Sequence, residues 1–388
     1  MHIYAALHGC FETPVTHSRS LTWKIETIYF SHTTSFLITP TKMAASSLPS
    51  TMRIWKYDST DGGLEEHLKL YSSEPLPKPS PSQHLIKVAA VALNPVDYKV
   101  PEAPLIGRFA VKIPATPCFD VAGHIITPAD GSPLEPGQLV FGASNSNPLG
   151  GGALAEYVAA PANAICRVPS GISPLIAAGI PVAATTAFAS LIPYISKGSR
   201  VFINGGSGGV GTYAIQIAKA AEAHVTVSCS ARNVELCRSL GADDVLDYNA
   251  RPLLDQLRDM AAAGHAFDHV VDNVFSDPAL YFQAHTYTSP NAKFVEVASA
   301  PSLAFLQFAL GAFLWPAFLG GGRRKLVFAA ADIRPETLER IGEWIAGGVV
   351  KPVTDGVFSM EDVVNAFKRL KSGRATGKII IDVSGVKG

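Results

Sequence analysis

The chain has 388 residues, a length that suggests two or three domains at about 100–200 residues each. Hydrophobic residues make up 47% and charged residues 16%, so we expect a sizeable core and exclude an intrinsically disordered chain. The formal net charge is zero, which argues against a globally basic nucleic-acid-binding protein. The five cysteines form no C-x-x-C pair, which disfavours a zinc ribbon and a disulfide framework and favours a reducing compartment such as the cytoplasm.

Residues 1–51 differ from the rest of the chain in composition. They are rich in Ser and Thr, and Glu12 and Glu26 are their only acidic residues. An acid-poor, Ser-rich start is typical of a transit peptide and leaves a mitochondrial location open, although Arg19 is the only arginine. The alternative is an unstructured extension or an over-extended gene start, with Met52 opening the first strand.

The remaining sequence changes its pattern twice. Residues 52–172 contain short β-like runs between Gly and Pro, typical of a small barrel-like domain, and include runs at 85–93, 138–141 and 153–159. From residue 173 strands alternate with helices, which predicts a parallel sheet. Its predicted elements are strands at 200–204, 224–228, 244–247, 268–274 and 293–298 and helices at 209–221 and 234–240. After residue 325 we predict a strand, helices at 335–346 and 360–370, and a closing strand at 378–383.

The most apolar segment is 305–319, with the sequence FLQFALGAFLWPAFL. It is shorter than the ~20 residues needed to span a bilayer, and Pro316 interrupts it. We therefore predict a buried helix or pocket wall. An interfacial membrane contact or an acyl-chain-binding wall remains the alternative.

The strongest motif is a G-x-G-x-x-G turn between a predicted strand and a predicted helix, the context in which this motif binds dinucleotides. Its glycines permit a tight turn, close approach of a pyrophosphate and close helix packing, while the helix N-terminus favours the negative charge. The predicted coenzyme-binding residues of this turn are Gly206, Ser207, Gly208, Gly209, Val210 and Gly211.

The end of the second strand distinguishes NAD from NADP. An NAD site usually has an Asp or Glu there, but this chain has no acidic residue between Glu222 and Glu235. Ser230 and Arg232 would instead donate hydrogen bonds and positive charge to a 2′-phosphate. We therefore predict NADPH as the coenzyme. The alternative is that Arg232 is a solvated cation at a helix start.

A series of further motifs follows in a consistent order along the chain. They stand at 94–99 (NPVDYK), 117–123 (PCFDVAG), 136–142 (PGQLVFG), 151–157 (GGALAEY), 185–187 (TTA), 240–243 (LGAD) and 377–380 (GKII). Together with the glycine turn, they resemble the medium-chain dehydrogenase/reductase superfamily over about residues 52–385. The likeness is to its zinc-free quinone oxidoreductase and enoyl reductase branch, which includes a reticulon-interacting mitochondrial oxidoreductase and fungal trans-acting enoyl reductases.

This resemblance implies an α/β fold in which a GroES-like β-barrel domain joins a Rossmann-type doubly wound parallel sheet. Residues 52–172 and 325–388 would form the barrel domain, and residues 173–324 the dinucleotide-binding domain. The active site would lie in the cleft between the two.

The resemblance also implies particular site residues. Asn94 would lie near the nicotinamide or the substrate carbonyl, and Tyr98 would donate a hydrogen bond or a proton. Thr186 would approach the nicotinamide, Tyr248 would face the 2′-phosphate, and Lys378 would lie on the coenzyme side. The alternatives are that Tyr98 and Thr186 only pack and that Lys378 is a surface strand residue. Asp97 and Lys99 are expected to form a structural ion pair rather than an acid–base pair.

One departure from the family pattern weakens the coenzyme prediction. The family often has a lysine three residues after the Ser230 position, but this chain has Asn233, so Arg232 would have to replace that cation.

The sequence does not predict a zinc site. Zinc-dependent relatives carry a Cys where this chain has Asn94, a Gly-His-Glu motif, and four closely spaced cysteines. Here His124 follows a glycine but precedes Ile125, and is expected to be a strand residue. Without a Lewis acid a simple ketone is hard to activate, which favours a conjugated acceptor whose own carbonyl spreads the charge left by hydride addition.

Three functions remain open. The first is an NADPH-dependent reductase of activated C=C bonds or quinones, and the second a non-catalytic NADPH-binding partner protein on the same fold. The third is an enoyl reductase acting on a chain bound to an acyl carrier. By the resemblance, the protein would be a homodimer paired through an edge strand at 325–331, or a monomer.

Overall fold

The computed structural model describes residues 48–103, 106–145, 152–297 and 302–385. Residues 49–388 form one compact unit. The predicted extension at 1–51 lies outside the described residues except for its last four positions, and Thr51 already opens the first strand.

The described strands and helices follow in chain order. The strands are β1 (Thr51–Tyr57), β2 (Leu68–Pro75), β3 (Gln83–Leu93), β4 (Asp120–Thr127), β5 (Leu139–Ala143), β6 (Tyr157–Pro161), β7 (Ile165–Arg167), β8 (Arg200–Asn204), β9 (His224–Cys229), β10 (Asp244–Asp247), β11 (Phe267–Asp272), β12 (Thr288–Glu296), β13 (Lys325–Phe328), β14 (Thr354–Ser359) and β15 (Lys378–Asp382). The α-helices are α1 (Val96–Lys99), α2 (Ile106–Ala110), α3 (Pro174–Ala178), α4 (Pro181–Leu191), α5 (Gly209–Ala220), α6 (Val234–Ser239), α7 (Leu253–Ala262), α8 (Ala279–Phe282), α9 (Leu303–Leu314), α10 (Pro335–Ala346) and α11 (Val363–Lys371).

The second half of the chain forms a six-stranded parallel sheet in the order β10-β9-β8-β11-β12-β13. The chain starts at the centre with β8, runs outward to β10, and then crosses to β11 on the other side. This is the doubly wound order of dinucleotide-binding folds, whose crevice opens where the strand order reverses. The strands β8, β9 and β11 are almost entirely buried, as expected for a sheet covered on both faces.

The first half forms a curled, mostly antiparallel sheet in the order β14-β15-β3-β4-β5-β7, with β6 also paired to β3. The eleven-residue β3 bends the sheet because its first half pairs with β6 while its second half pairs with β15. Leu93, for example, pairs with Ile379 from the other end of the chain. The predicted combination of a GroES-like barrel with a Rossmann-type sheet is therefore confirmed.

The strand at the predicted domain boundary belongs to the parallel sheet. The prediction assigned residues from 325 onward to the barrel domain, but β13 pairs with β12 in register, with Val327 opposite Val295. The chain therefore leaves the parallel sheet after Phe328. In the described part of the chain, no strand pairs with the outer side of β13.

The prediction that segment 305–319 is buried is wrong. It forms α9 and a following turn, but eight large apolar side chains between Leu303 and Leu319 are 48% to 82% exposed. Only one stripe of α9 is covered, where Phe308 packs on Tyr281 and Phe282. A helix that is apolar on all sides is usually buried on all sides, but the parallel sheet covers only one side of this one. No helix within the described ranges is long and apolar enough to cross a bilayer.

Candidate active site

The glycine turn joins β8 to α5 at the carboxyl end of the central strand. A Cβ on Gly211 would lie 2.1 Å from the Gly205 carbonyl oxygen, and one on Gly206 would lie 2.8 Å from Val227, so both positions require glycine. A Cβ on Gly208 would meet nothing nearer than 3.6 Å, so this side of the turn is open. The open backbone at the start of α5 fits a pyrophosphate, because the first N–H groups of a helix have no intrahelical partner.

A buried polar cluster marks the point where the strand order reverses. The Asn204 amide at the end of β8 donates to Asp272 at the end of β11 over 2.8 Å, and it accepts from the Ser228 hydroxyl over 2.6 Å. The neighbouring Asn273 donates to the Asn204 carbonyl oxygen, but its own side-chain oxygen is buried without a hydrogen-bond partner. An unsatisfied buried acceptor beside the glycine turn is consistent with a ligand donating to it.

Three predicted coenzyme residues line one cavity of about 430 Å³ beyond the end of β9. The cavity is lined by Ser230, Ala231, Arg232, Tyr248, Asn249, Gly373 and Arg374. Arg374 was not predicted, because it comes from the loop after α11, more than a hundred residues away in sequence. The Arg232 guanidinium donates to the Arg374 backbone oxygen over 3.2 Å, which holds the two loops together.

Asn233 does not face this cavity as the family's lysine would. Its side-chain amide donates to the Ser207 hydroxyl in the glycine turn over 2.9 Å. The positive charge on the cavity comes instead from Arg232 and Arg374. The C-terminal segment also contacts the turn directly, where the Gly377 N–H donates to the Ser207 carbonyl oxygen.

Lys378 is buried between the two sheets and is not a surface strand residue. Its stem lies against the glycine turn, since a Cβ on Gly209 would be 3.2 Å from its Cδ. Its ammonium lies 3.2 Å from the carboxylate of the fully buried Asp120 and donates to the Asn94 side-chain oxygen and to the Leu93 carbonyl oxygen. Lys378 therefore links the coenzyme turn to the loop that carries Asn94.

Hydrogen bonds with buried neighbouring residues fix both the side chain and the backbone of Asn94. Its amide donates to Asp120 over 2.9 Å, and its backbone N–H donates to Asp97 over 2.7 Å. The second oxygen of Asp120 accepts from the Val182 N–H at the start of α4. Since these bonds occupy both ends of its side chain, Asn94 shapes the 94–99 loop rather than offering a free group to a substrate.

Asp97 is the second carboxyl of this buried cluster. Burial raises the pKa of Asp97 to about 7, an effect to which nearby Asp120 adds and which Lys378 opposes. The cluster contains two carboxyl groups and one ammonium, so a proton on Asp97 makes it electrically neutral.

The Asp97→Asn variant should flatten the dependence of stability on pH. The folded chain holds the Asp97 proton with a pKa of about 7, against 3.8 for the ordinary side chain, so the free energy of unfolding falls as the pH rises from 4 to 7. This group contributes at most about 4 kcal/mol to that fall. Urea unfolding at pH 5 and pH 8 measures this change in the free energy of unfolding. Comparing the change in the variant with that in the unaltered chain separates the contribution of Asp97 from that of other buried acids. If the free energy of unfolding changed equally with pH in the two proteins, the raised pKa assigned to Asp97 would be wrong.

Asp97 and Lys99 do not form the expected ion pair. The one-turn helix α1 directs Asp97 into the buried cluster, whereas Lys99 lies near Glu296 at the carboxyl end of β12. Burial lowers the pKa of Lys99, and Glu296 opposes that effect. The Lys99 ammonium makes no hydrogen bond or ion pair with a described residue.

Tyr98 takes a third direction from α1. Its ring lies under the Lys371 ammonium, 5.5 Å from the ring centroid, and burial raises the pKa of its hydroxyl. Lys371 in turn pairs with Glu65 and Glu102, all within the barrel domain. Tyr98 therefore faces this ion cluster rather than the end of the parallel sheet.

Thr186 lies one helical turn after Val182 on α4, and thus on the same face as the contact with Asp120. Its side chain is 5% exposed and makes no hydrogen bond with a described residue. This position is consistent with the predicted approach to a coenzyme.

Two observations bear on the metal prediction. His124 is an exposed residue of β4, as expected. In the part of the chain that the structure describes, no group of three or more His, Cys, Asp or Glu side chains is placed to hold a metal ion.

A glycine turn and a barrel domain that meet at the carboxyl end of a doubly wound sheet are the arrangement of oxidoreductases that use a nicotinamide coenzyme. The family descriptions "Alcohol dehydrogenase GroES-like domain" and "Zinc-binding dehydrogenase" match residues 80–170 and 240–381, respectively. The chain belongs to the medium-chain dehydrogenase/reductase superfamily, in the branch of quinone oxidoreductases and trans-enoyl reductases.

Individual relatives support this placement. Over 357 residues the chain is 42% identical to a trans-enoyl reductase of Aspergillus terreus, covering 87% of this chain and 98% of that protein. It is 31% identical to a chloroplast envelope quinone oxidoreductase homologue of Arabidopsis thaliana, over 85% of this chain and 98% of the relative. The solved quinone oxidoreductase of Coxiella burnetii superposes with a TM-score of 0.74 at 26% identity, covering 86% of this chain and 99% of that one.

Proposed function

We propose that this protein is an NADPH-dependent reductase that transfers hydride to an activated C=C bond, as in an enone or enoyl thioester, or to a quinone. The observation that carries the proposal is the half-buried ammonium of Lys99, which lies near Glu296 at the carboxyl end of the parallel sheet and makes no hydrogen bond or salt bridge with a described residue. The names of the fungal and plant relatives, a trans-enoyl reductase and a quinone oxidoreductase homologue, support the same reaction class.

The choice of NADPH rests on the cavity beyond β9. Arg232 and Arg374 supply two positive charges there, and Ser230 and Tyr248 supply hydroxyl groups. A 2′-phosphate accepts charge-assisted hydrogen bonds from such groups, whereas the 2′-hydroxyl of NADH gains little from them.

The chemistry divides between the coenzyme and the chain. A bound nicotinamide supplies the hydride, and the glycine turn and Thr186 hold and orient it. Hydride addition to a conjugated acceptor leaves negative charge on its carbonyl oxygen, and the Lys99 ammonium stabilises that charge or protonates the product. Lys378, Asp120 and Asn94 fix the loop that positions Lys99. The position of Tyr98 under Lys371 favours Lys99 as the proton donor.

Purified protein should oxidise NADPH with at least one acceptor from a panel of a quinone, an alkenal, an enone and an enoyl thioester. NADH run in parallel measures the coenzyme preference. Tight NADPH binding without turnover on any acceptor would favour the alternative of a non-catalytic coenzyme-binding partner.

The Lys99→Gln variant should lower kcat by about 100- to 1,000-fold with an enone or enoyl thioester, because it removes the charge that stabilises the developing oxyanion. The Kd for NADPH should change by less than about twofold, because Lys99 lies near Glu296 and does not line the cavity of Arg232 and Arg374. Steady-state kinetics and coenzyme titration measure the two effects. Tyr98→Phe is the matched control, and a larger loss in that variant would assign the proton to Tyr98 instead.

The acyl carrier and the oligomeric state are separate parts of the proposal. A carrier-bound enoyl substrate predicts that kcat/KM depends on acyl-chain length, which a series of enoyl thioesters tests. Homodimer and monomer both remain compatible with the open edge of β13. The mass in solution distinguishes them.

A further inference from the structure

The exposed side of α9 is a continuous apolar surface. Leu306, Leu310, Phe313 and Leu314 recur at the spacing of one helical face, and each is at least 48% exposed. The turn after the helix continues this surface with Trp315 at 62% and Phe318 at 82% exposed. We call α9 together with residues 315–319 the apolar ridge.

A cluster of cations borders the apolar ridge. Arg323 and Lys325 are exposed and follow the ridge directly in sequence, and Lys325 lies opposite Lys293 in the neighbouring strand. His285 has its pKa lowered by burial and by the nearby guanidiniums of Arg323, Arg324 and Arg258, so these groups lie close together.

Arg258 lies 3.5 Å from the Asp255 carboxylate, but the other cations of this cluster have no such partner among the described residues. The sequence has no Asp or Glu between Glu296 and Asp332. Among the described residues, no carboxylate forms an ion pair with Lys293, Arg323, Arg324 or Lys325. An uncompensated cluster of cations is complementary to an anionic surface.

We propose that the apolar ridge and the cations beside it form a surface that docks on an anionic phospholipid bilayer. The apolar side chains would enter the boundary between headgroups and acyl chains, with Trp315 at the interface where tryptophan is favoured. Arg323 and Lys325 would contact the anionic headgroups. A single helix of this length lies in the interface and does not span the bilayer.

A second copy of the chain is a poorer occupant of this surface. Pairing of two copies through the open edge of β13 would place no carboxylate of segment 297–331 beside Arg323 and Lys325, because that segment contains no acidic residue. Anionic headgroups would neutralise these cations, whereas the same segment of a second copy would not.

Co-sedimentation of the full chain with vesicles tests the proposal. Binding is expected to phosphatidylcholine vesicles that contain phosphatidylglycerol, and to be at least about 10-fold weaker with phosphatidylcholine alone. The double variants Phe318→Ser/Leu319→Ser and Arg323→Gln/Lys325→Gln should each weaken binding to the anionic vesicles by about 10-fold or more. Residues 1–47 are the same in every variant, so the comparison isolates the ridge and its cations.

Matched controls use exposed residues elsewhere. Phe109→Ser removes a 90% exposed aromatic ring from α2. Lys78→Gln/Lys112→Gln removes two exposed charges. Neither control variant should alter vesicle binding. Equal binding to neutral vesicles, unchanged binding of either ridge variant, or no binding at all would overturn the proposal. A ridge variant that turns a dimer into a monomer without changing vesicle binding would show a contact between copies instead.

Quenching by brominated phospholipids gives a second, independent measurement. Of the four tryptophans, Trp55 is buried, Trp344 is partly buried and Trp315 is 62% exposed, whereas Trp23 lies outside the described residues. Among the described tryptophans, bilayer docking of the ridge should therefore quench mainly the Trp315 fluorescence. Trp315→Phe should therefore remove most of the quenching. Equal quenching in the variant would place another segment in the bilayer and contradict the proposal.

Discussion

Replacing Arg232 and Arg374 together by glutamine should raise the Kd for NADPH by about 100-fold and leave the Kd for NADH within about twofold. Each guanidinium would donate a charge-assisted hydrogen bond to the 2′-phosphate, and such bonds contribute about 1.5–3 kcal/mol before screening by solvent. Both residues line the same cavity, so neither cation alone accounts for the whole effect. Fluorescence titration with the two coenzymes measures it.

The control for this double variant is Arg238→Gln. Arg238 lies on α6, close in sequence to Arg232, but pairs with Glu235 and does not line the cavity. Its replacement should leave both Kd values unchanged. If the double variant weakened both coenzymes equally, the arginines would support the loops rather than recognise a phosphate.

Replacing Lys378 by methionine should lower the free energy of unfolding by about 3–5 kcal/mol, because it leaves the fully buried Asp120 carboxylate without its cation. The variant should also lower kcat, since Asn94 loses one of its partners and the 94–99 loop loosens. Denaturant unfolding and steady-state kinetics measure the two effects.

Two companion variants separate charge from packing. In Lys378→Met/Asp120→Asn the buried charge is removed as well, so part of the lost stability should return. Lys368→Met removes an exposed charge from α11 and should change stability by less than about 0.5 kcal/mol. If Lys378→Met were as mild as Lys368→Met, the buried ion pair between Lys378 and Asp120 would not contribute to stability.

Much of the parallel-sheet half could be predicted because its signals are local. The predicted strands 200–204 and 244–247 match β8 and β10, and helix 335–346 matches α10. A short apolar run bounded by Gly or Pro, or an apolar face of helical period, specifies such an element within a few residues. The glycine turn was predictable for the same reason, because strand, turn and helix are adjacent in sequence.

Contacts between distant segments decided the rest of the site. Arg374 joins the cavity of Arg232, and Lys378 reaches Asn94 and Asp120, across more than a hundred residues of sequence in each case. No local sequence pattern indicates a contact between residues so far apart in the chain. The directions of Asp97, Tyr98 and Lys99 also depend on what surrounds α1, since three consecutive helical residues face three different neighbours.

By itself, the sequence determined the two types of sheet and the position of the glycine turn, because each follows from local hydrophobic period and glycine spacing. The superfamily followed from the resemblance carried by the ordered motifs between residues 94 and 380. The tertiary structure decided which charged groups line the cavity beyond β9, which are buried against each other, and that α9 is exposed. Burial depends on the three-dimensional neighbours of a side chain, and an apolar run has the same sequence pattern whether or not another element covers it.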